Sequence, residues 1–297
     1  MSANDWGAQY PKDDPFKARA RLHQSRFRAD VLGLDEYRDY GNRLSTRDAL
    51  AGRNFYGWPG VVEAAAARYG RKDSPVWHDM LRSEHIPFNL FVPLRDLPWG
   101  RILFGEWLGS PVSAVTQILV EWAPKPRRAY LNDNTSFDTW VECRLEDGRR
   151  AGIGIEVKYT EGPYSWGKTE RARMFDEGSL YHQVHRRAGL YAEGALNHLR
   201  TRALKQLWRN QLLGAAMLAR SDRSIDVFTS VLVYPAGNAH YAKAAREYGR
   251  LLDASARPSF GAVTFEGLMA AYRKLGGSGA TSQRWVEYLE HRYLVPP

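Results

Sequence analysis

The chain has 297 residues, 42 Lys+Arg against 33 Asp+Glu, a formal net charge of +9 and 44% hydrophobic residues. That balance excludes a disordered chain, which would be less apolar, and a membrane bundle, which would be less charged. The single cysteine, Cys143, excludes an internal disulfide framework and a Cys-based zinc knuckle, and it points to a reducing, cytoplasmic compartment. No secretory signal is expected, because MSANDWGAQYPKDD contains no apolar stretch. The run from Trp107 to Val120 is too short and too polar to span a bilayer.

An isoelectric point near 9.6 favours polyanionic partners. Of the basic residues, 33 are arginine and 9 lysine. Arginine's planar fork suits bidentate phosphate contacts, although a G+C-rich genome produces the same bias. Lys17, Arg19, Arg21, Arg26 and Arg28 form one basic run; Arg186, Arg187, Arg200, Arg202, Lys205 and Arg209 form a second. Each reads as a phosphate-tracking surface or as a solvated helix face.

In chain order, residues 17–51 read as basic and helical, with turns at Gly33 and Gly41-Asn42. The loop NFYGWPG leads into a helix, VVEAAAARY, ended by Gly70. Ser74 reads as an N-cap and Pro75 as the first residue of a helix through VWHDMLRSEHIPFNLFVPL, which Pro87 should kink. Glu121 ends the apolar run ILVEW as a strand-end charge. Residues 136–145 alternate, with Phe137, Thr139, Val141, Cys143 and Leu145 on one face and Asp138, Trp140, Glu142 and Arg144 on the other. Asp147-Gly148 signals a turn, and 153–159 alternate again, leaving Gly154, Glu156 and Lys158 opposite an apolar face. The spacing predicts a β-hairpin with one core face.

A helix follows over LKQLWRNQLLGAAMLAR (204–220), then a strand over Ile225–Tyr234. Helical patterns recur at Tyr241–Leu252, Thr264–Leu275 and Ser282–Tyr293. The GGSG at 276–279 reads as a flexible joint, since no Lys-Ser/Thr follows it to make a phosphate cradle. This order predicts a mixed α/β protein in three regions. They are a basic, mainly helical segment over 1–74, a core over 75–240 and an α/β extension over 241–297.

No Walker loop, GxGxxG, HExxH, GxSxG or paired CxxC is present. Glu156-Val157-Lys158 is the one acid-x-Lys tripeptide. Its two charges share a strand face, and the hairpin brings Asp138 near them. Two carboxylates suit a hard cation such as Mg²⁺, and an adjacent lysine can orient a water and offset developing negative charge. The competing interpretation is a surface salt bridge on a solvated sheet face. Geometry decides between them. A two-residue loop at Asp147-Gly148 would pair Asp138 with Val157 and put the acids on opposite faces, so an odd-numbered loop or a bulge is required.

The stretch TSFDTWVECRLEDGRRAGIGIEVKYTE resembles the core of PD-(D/E)XK nucleases, closest to bacterial putative restriction endonucleases. Asp138 is the first acid and Glu156-Val157-Lys158 the second half-motif. SEHIPFNLFVPL (83–94), IEVKYTE (155–161) and QLWRNQLL (206–213) are the other matching blocks, while 1–60 and 250–297 match nothing specific. No proline precedes Asp138, and Glu84 stands where a glutamine is expected. The resemblance implies a restriction-endonuclease-like α/β core, a central mixed sheet flanked by helices, with helical N- and C-terminal additions. It implies Mg²⁺-dependent cleavage of DNA, with Mn²⁺ as a substitute, by a restriction or defence endonuclease. Asp138, Glu156 and the Val157 carbonyl would hold the metal, and Lys158 would position the attacking water. A repair nuclease on the same fold and a non-catalytic basic DNA-binding protein are the alternatives. A double-strand cut commonly calls for two active sites, hence a homodimer; no membrane contact is expected.

Glu84 is a candidate third acid beside the metal, or an exposed helix carboxylate. Gln206 and Asn210, four apart, share a helix face and either touch a phosphate, orient a base or cap a core gap. Gln206 joins Glu84 as a candidate catalytic residue. His182 and His185 read as a solvated helix face rather than metal ligands. Tyr164 and Trp166 read as packing residues or as base-stacking aromatics.

Overall fold

A computed structural model describes residues 6–221, 224–277 and 279–297, so Ser278 of the GGSG segment lies outside the described residues. One sheet runs β1 (Val112–Trp122), β2 (Phe137–Leu145), β3 (Arg150–Val157), β4 (Val227–Tyr234) and β5 (Phe260–Thr264), in that spatial order. The first three strands are antiparallel, and β4 and β5 are parallel to β3. The chain therefore has the mixed α/β, restriction-endonuclease-like core.

Before the sheet come α1 (Pro15–Arg26), α2 (Thr46–Leu50), α3 (Val61–Tyr69), α4 (Pro75–His78), α5 (Ile86–Phe91) and α6 (Gly100–Leu108). The β3–β4 crossover holds α7 (Lys168–Phe175), α8 (Leu180–Ala188), α9 (Leu196–Leu199) and α10 (Lys205–Leu218). After β4 follow α11 (Ala239–Leu251), α12 (Phe265–Gly276) and α13 (Ala280–Tyr293). No helix among the described residues is long and apolar enough to cross a membrane.

Helices cover both faces of the sheet. Val141, Cys143, Ile153, Ile155 and Val157 share a core with Leu44, Phe88, Phe104, Tyr272 and Trp285. On the other face Phe137, Trp140, Phe228 and Leu232 pack with Trp208 and Tyr248. The hairpin's expected single core face is thus corrected to two. Two glycines make the second layer possible: a Cβ at Gly152 would come within 2.1 Å of the Trp140 ring, and at Gly154 within 2.4 Å of Phe137. Phe137 consequently turns away from Val141 and joins Trp140.

The long kinked helix expected after Ser74 is four short pieces. Asp79 breaks it, with extended backbone, a bridge to Arg43 and a carboxylate held by the Asn42 side chain and the Leu81 N–H. Pro87 then sits in the first turn of α5, where its missing N–H leaves no helical bond unmade. The sequence reading did not contain β5; its five residues are only partly buried and show no clean alternation. Both ends of the chain enter the core. Gln24 donates to the Tyr159 hydroxyl and the Arg292 carbonyl, and Trp285 Nε1 donates to the Asn89 carbonyl.

Candidate active site

The site begins at the hairpin turn. Leu145 N–H bonds the Arg149 carbonyl at 2.9 Å, so three residues, Glu146 to Gly148, close the loop. Gly148 adopts φ 86°, a left-handed conformation that glycine enters without strain. The odd loop pairs Arg144 with Arg150 and Thr139 with Ile155. One step on, Asp138 lies across from Glu156, on the same face. The condition set by the sequence is met.

Glu156 is 1% exposed and Lys158 3%. Lys158 Nζ lies 2.5 Å from Glu156 Oε1, which also accepts from the Gln206 amide. Asn210 Nδ2 donates to Oε2 at 2.6 Å. One turn of α10 thus presents two amides to the carboxylate, which excludes the surface salt bridge. Asp138 Oδ2 accepts the Val157 N–H at 2.7 Å, and Oδ1 has no protein donor among the described residues. Lys158 N–H bonds the Val233 carbonyl of β4, so by strand alternation the Val157 carbonyl points towards β2 and the carboxylates.

Electrostatically the cluster is strained. Asp138 keeps some accessible surface yet lies deep among protein atoms. Burial, then the charges of Glu156 and Glu121, push its carboxyl well above the usual range against the opposing pull of Lys158. For Lys158, burial acts to lower the ammonium's pKa, but Glu156 and Asp138 outweigh it and hold the group well above its ordinary value.

Glu121, read from the sequence as a strand-end charge, is the penultimate residue of β1, and its charge reaches Asp138. The register pairing Val120 with Thr139 and Trp122 with Phe137 places it across from Asp138. Glu121, Asp138 and Glu156 therefore form a row over three adjacent strands. Glu121 has φ 53°, lies 3.7 Å from Arg68 and is raised by burial, despite Arg68, with Glu156 adding to the shift. The only sequence signal was a charge at the end of an apolar run. Its partner strand had to be known before the row could be seen.

The other candidates separate. Glu84 sits in a short 3₁₀ turn and pairs with Arg82, and its charge is felt at Glu121. His182 is buried, bonded to the Met174 carbonyl, and His185 stacks on Tyr191 and meets Trp208; both pack rather than face solvent. Lys158 Nζ lies 4.9 Å from the Tyr164 ring centre, so this tyrosine covers the ammonium. Trp166 lies against Phe175 and the Lys205 ammonium.

Much of the two basic runs is structural. Arg21 is bound to Asp13 and Asn42, and Arg28 is fully buried against the Gly41 carbonyl. Lys205 and Arg209 share Glu170, and Arg209 also holds Asp133. Solvated helix faces would have left these cations free. Two depressions flank the 164–167 segment. One, about 280 Å³, is of mixed charge, with Lys17, Arg21, Arg43 and Arg82 beside Asp79, Glu84 and Glu161; the other, about 720 Å³ and open, is basic, lined by Lys168, Arg171 and Arg202.

The donors fit a hard divalent cation: two carboxylates, one with a vacant oxygen, and a backbone carbonyl aimed at the same space. No group of three or more His, Cys, Asp and Glu is gathered to hold a metal ion among the described residues.

The family model described as the PD-(D/E)XK nuclease superfamily matches residues 11–295 of the chain. No curated protein and no solved structure matches it.

Proposed function

Because the chain belongs to the PD-(D/E)XK nuclease superfamily, we propose that it is a divalent-metal-dependent endonuclease acting on DNA phosphodiester bonds, of restriction or defence type. The observation that carries this reading is the Asp138–Glu156 alignment on one face with Lys158 at 2.5 Å from Glu156. Asp138, Glu156 and the Val157 carbonyl would hold Mg²⁺, or Mn²⁺ in its place. When bound, such a cation supplies Lewis-acid stabilisation of negative charge developing on the phosphoryl oxygens.

The chain's own groups do the rest. Gln206 and Asn210 fix both Glu156 oxygens, so the carboxylate keeps one orientation as the substrate enters. Lys158, charged and shielded by Tyr164, orients the attacking water and offsets charge on the phosphate. Glu121, across from Asp138, adds a third carboxylate to which the water can pass its proton. The basic depression at Lys168, Arg171 and Arg202, beside residues 164–167, offsets the repulsion between a polyanion and the acids.

The test is plasmid cleavage by the wild type in Mg²⁺, in Mn²⁺ and in EDTA, beside Lys158→Ala. Cleavage should need the metal and be lost in the variant. Equal cleavage by Lys158→Ala would remove lysine from the mechanism; no cleavage by the wild type of any DNA substrate would favour a binding protein.

A further inference from the structure

The open depression of about 720 Å³ beside residues 164–167 is walled by α7. Lys168, Arg171 and Phe175 recur at helical spacing, so they share one side of that helix. Phe175 is 49% exposed, while Met174 before it is buried and anchors the helix. Trp166, at the entrance to α7, has its ring centre 5.8 Å from that of Phe175 and its plane at 60°. Each ring holds a cation. Lys205 Nζ lies 4.8 Å from the Trp166 centre, and the Arg200 guanidinium 4.9 Å from that of Phe175. Lys205 directly precedes Gln206, whose amide holds Glu156, so the depression adjoins the carboxylate row.

Its charge has one sign. Lys168, Arg171 and Arg202 are exposed and make no ion pair among the described residues. Glu170, on the far side of α7, is taken up by Lys205 and Arg209, and no Asp or Glu lines the depression among the described residues. Such cations suit the phosphates of a duplex or of a single strand alike. The two rings add a second requirement. In a duplex each base hides its faces in the stack, so only an unpaired base can lie on an aromatic side chain. An acidic protein segment supplies the charge without a flat face at each unit.

We propose that this depression takes unpaired bases of a DNA strand on Trp166 and Phe175, with the strand's phosphates on Lys168, Arg171 and Arg202. The choice of DNA and the consequence for cleavage rest on the nuclease reading above: the substrate is DNA whose strand is unpaired beside the bond to be cut.

The experiment is fluorescence anisotropy of the full chain in EDTA with a labelled oligothymidylate, an abasic strand of the same length and a blunt duplex. The wild type should prefer the oligothymidylate to the abasic strand. Phe175→Ala, a surface change, should lower oligothymidylate affinity roughly fivefold or more, the loss of one stacked base, and bind the other two probes as the wild type does. Trp166→Ala should do the same; should it not fold, Phe175→Ala alone decides. In Mg²⁺ a duplex with a single-stranded tail should be cut faster than the blunt duplex, and Phe175→Ala should narrow the difference. Equal binding of oligothymidylate and abasic strand, an equal loss on all three probes in Phe175→Ala, or no faster cutting of the tailed duplex would each overturn the assignment. So would tighter binding of an oligouridylate than of the oligothymidylate, which would move the site to RNA. Plasmid cleavage without any base preference would overturn this inference alone. Base-dependent binding by a chain that cuts no DNA would uphold the site and overturn the nuclease reading instead.

Discussion

Asp138 Oδ2 accepts the Val157 N–H at 2.7 Å, so the first acid of the site is tethered to the strand carrying the second. The bond persists with any side chain that keeps an acceptor at this position. Asp138→Asn should therefore fold, while removing one of the two carboxylates a cation would need.

The burial of Asp138 sets a pH dependence, which the tether opposes without reversing. Burial and then Glu156 raise the Asp138 pKa well above its ordinary value of 3.8, so between those values the folded chain binds a proton that the unfolded chain has released. Stability from this group is full below pH 3.8 and is lost as pH rises through the folded pKa. Thermal melts in EDTA should show a downward slope over that window, which Asp138→Asn flattens. Calorimetry should show Mg²⁺ affinity rising with pH across the same window, because the cation displaces the proton. A flat melt profile in both proteins would rule out a raised carboxyl.

Glu156→Gln keeps shape and removes a charge. The variant should fold, losing about 3–5 kcal/mol at most as the buried Lys158 gives up an ionic partner. Cleavage should fall by more than roughly 100-fold, beyond the 10–100-fold typical of residues behind metal ligands. DNA affinity, read by fluorescence anisotropy in EDTA, should hold or rise because a repulsive charge is gone. Cleavage at the wild-type rate would move the reaction elsewhere in the chain.

Glu121 is tested in the same way. Glu121→Gln should lower the cleavage rate by about 10–100-fold at saturating metal while leaving DNA binding intact. Glu84→Gln, whose native carboxylate is already engaged by Arg82, should cleave nearer the wild-type rate. The opposite ranking would restore Glu84 to the site and make Glu121 a strand-end charge.

Local pattern made the hairpin, α10, β4 and the three C-terminal helices legible, because each has strong periodicity and a glycine, proline or polar boundary. The sheet's second buried face was not legible. It depends on Gly152 and Gly154 meeting Trp140 and Phe137, a cross-strand fact with no sequence period. Asp138 and Glu156 could be named, but their common face waited on a third loop residue that Asp147-Gly148 does not announce. Arg21, Arg28, Lys205 and Arg209 looked like solvent-facing charge since a run of cations carries no record of its distant partners, Asp13, Gly41, Glu170 and Asp133.

Gly154→Ala should test that second face directly. Its new Cβ would stand 2.4 Å from the Phe137 ring, closer than atoms tolerate, beside a strand that carries Asp138 next in sequence. Overpacking of this kind costs about 1–3 kcal/mol, measurable as a shift in urea midpoint at unchanged slope. Gly148→Ala, strained by its left-handed φ in an exposed turn, should cost only about 1 kcal/mol. Equal midpoints for Gly154→Ala and wild type would mean that Phe137 does not lie over β3.

The last expectation concerns how the chain holds DNA. Lys168, Arg171 and Arg202 are exposed around one depression beside residues 164–167, and none of them forms an ion pair among the described residues. Arg21 and Arg28 are the reverse, buried and hydrogen-bonded. A phosphate contact releases condensed counterions, and each one lost lowers the slope of log K against log salt by about 0.9. Replacing Lys168, Arg171 and Arg202 together by Gln should therefore reduce the slope by roughly 2.7, with the melting temperature unchanged. Arg28→Gln should instead lower the melting temperature and leave the slope of the folded fraction alone, because its guanidinium braces Gly41 from inside the fold. A triple variant that binds DNA with the original slope would remove this depression from the DNA-binding surface.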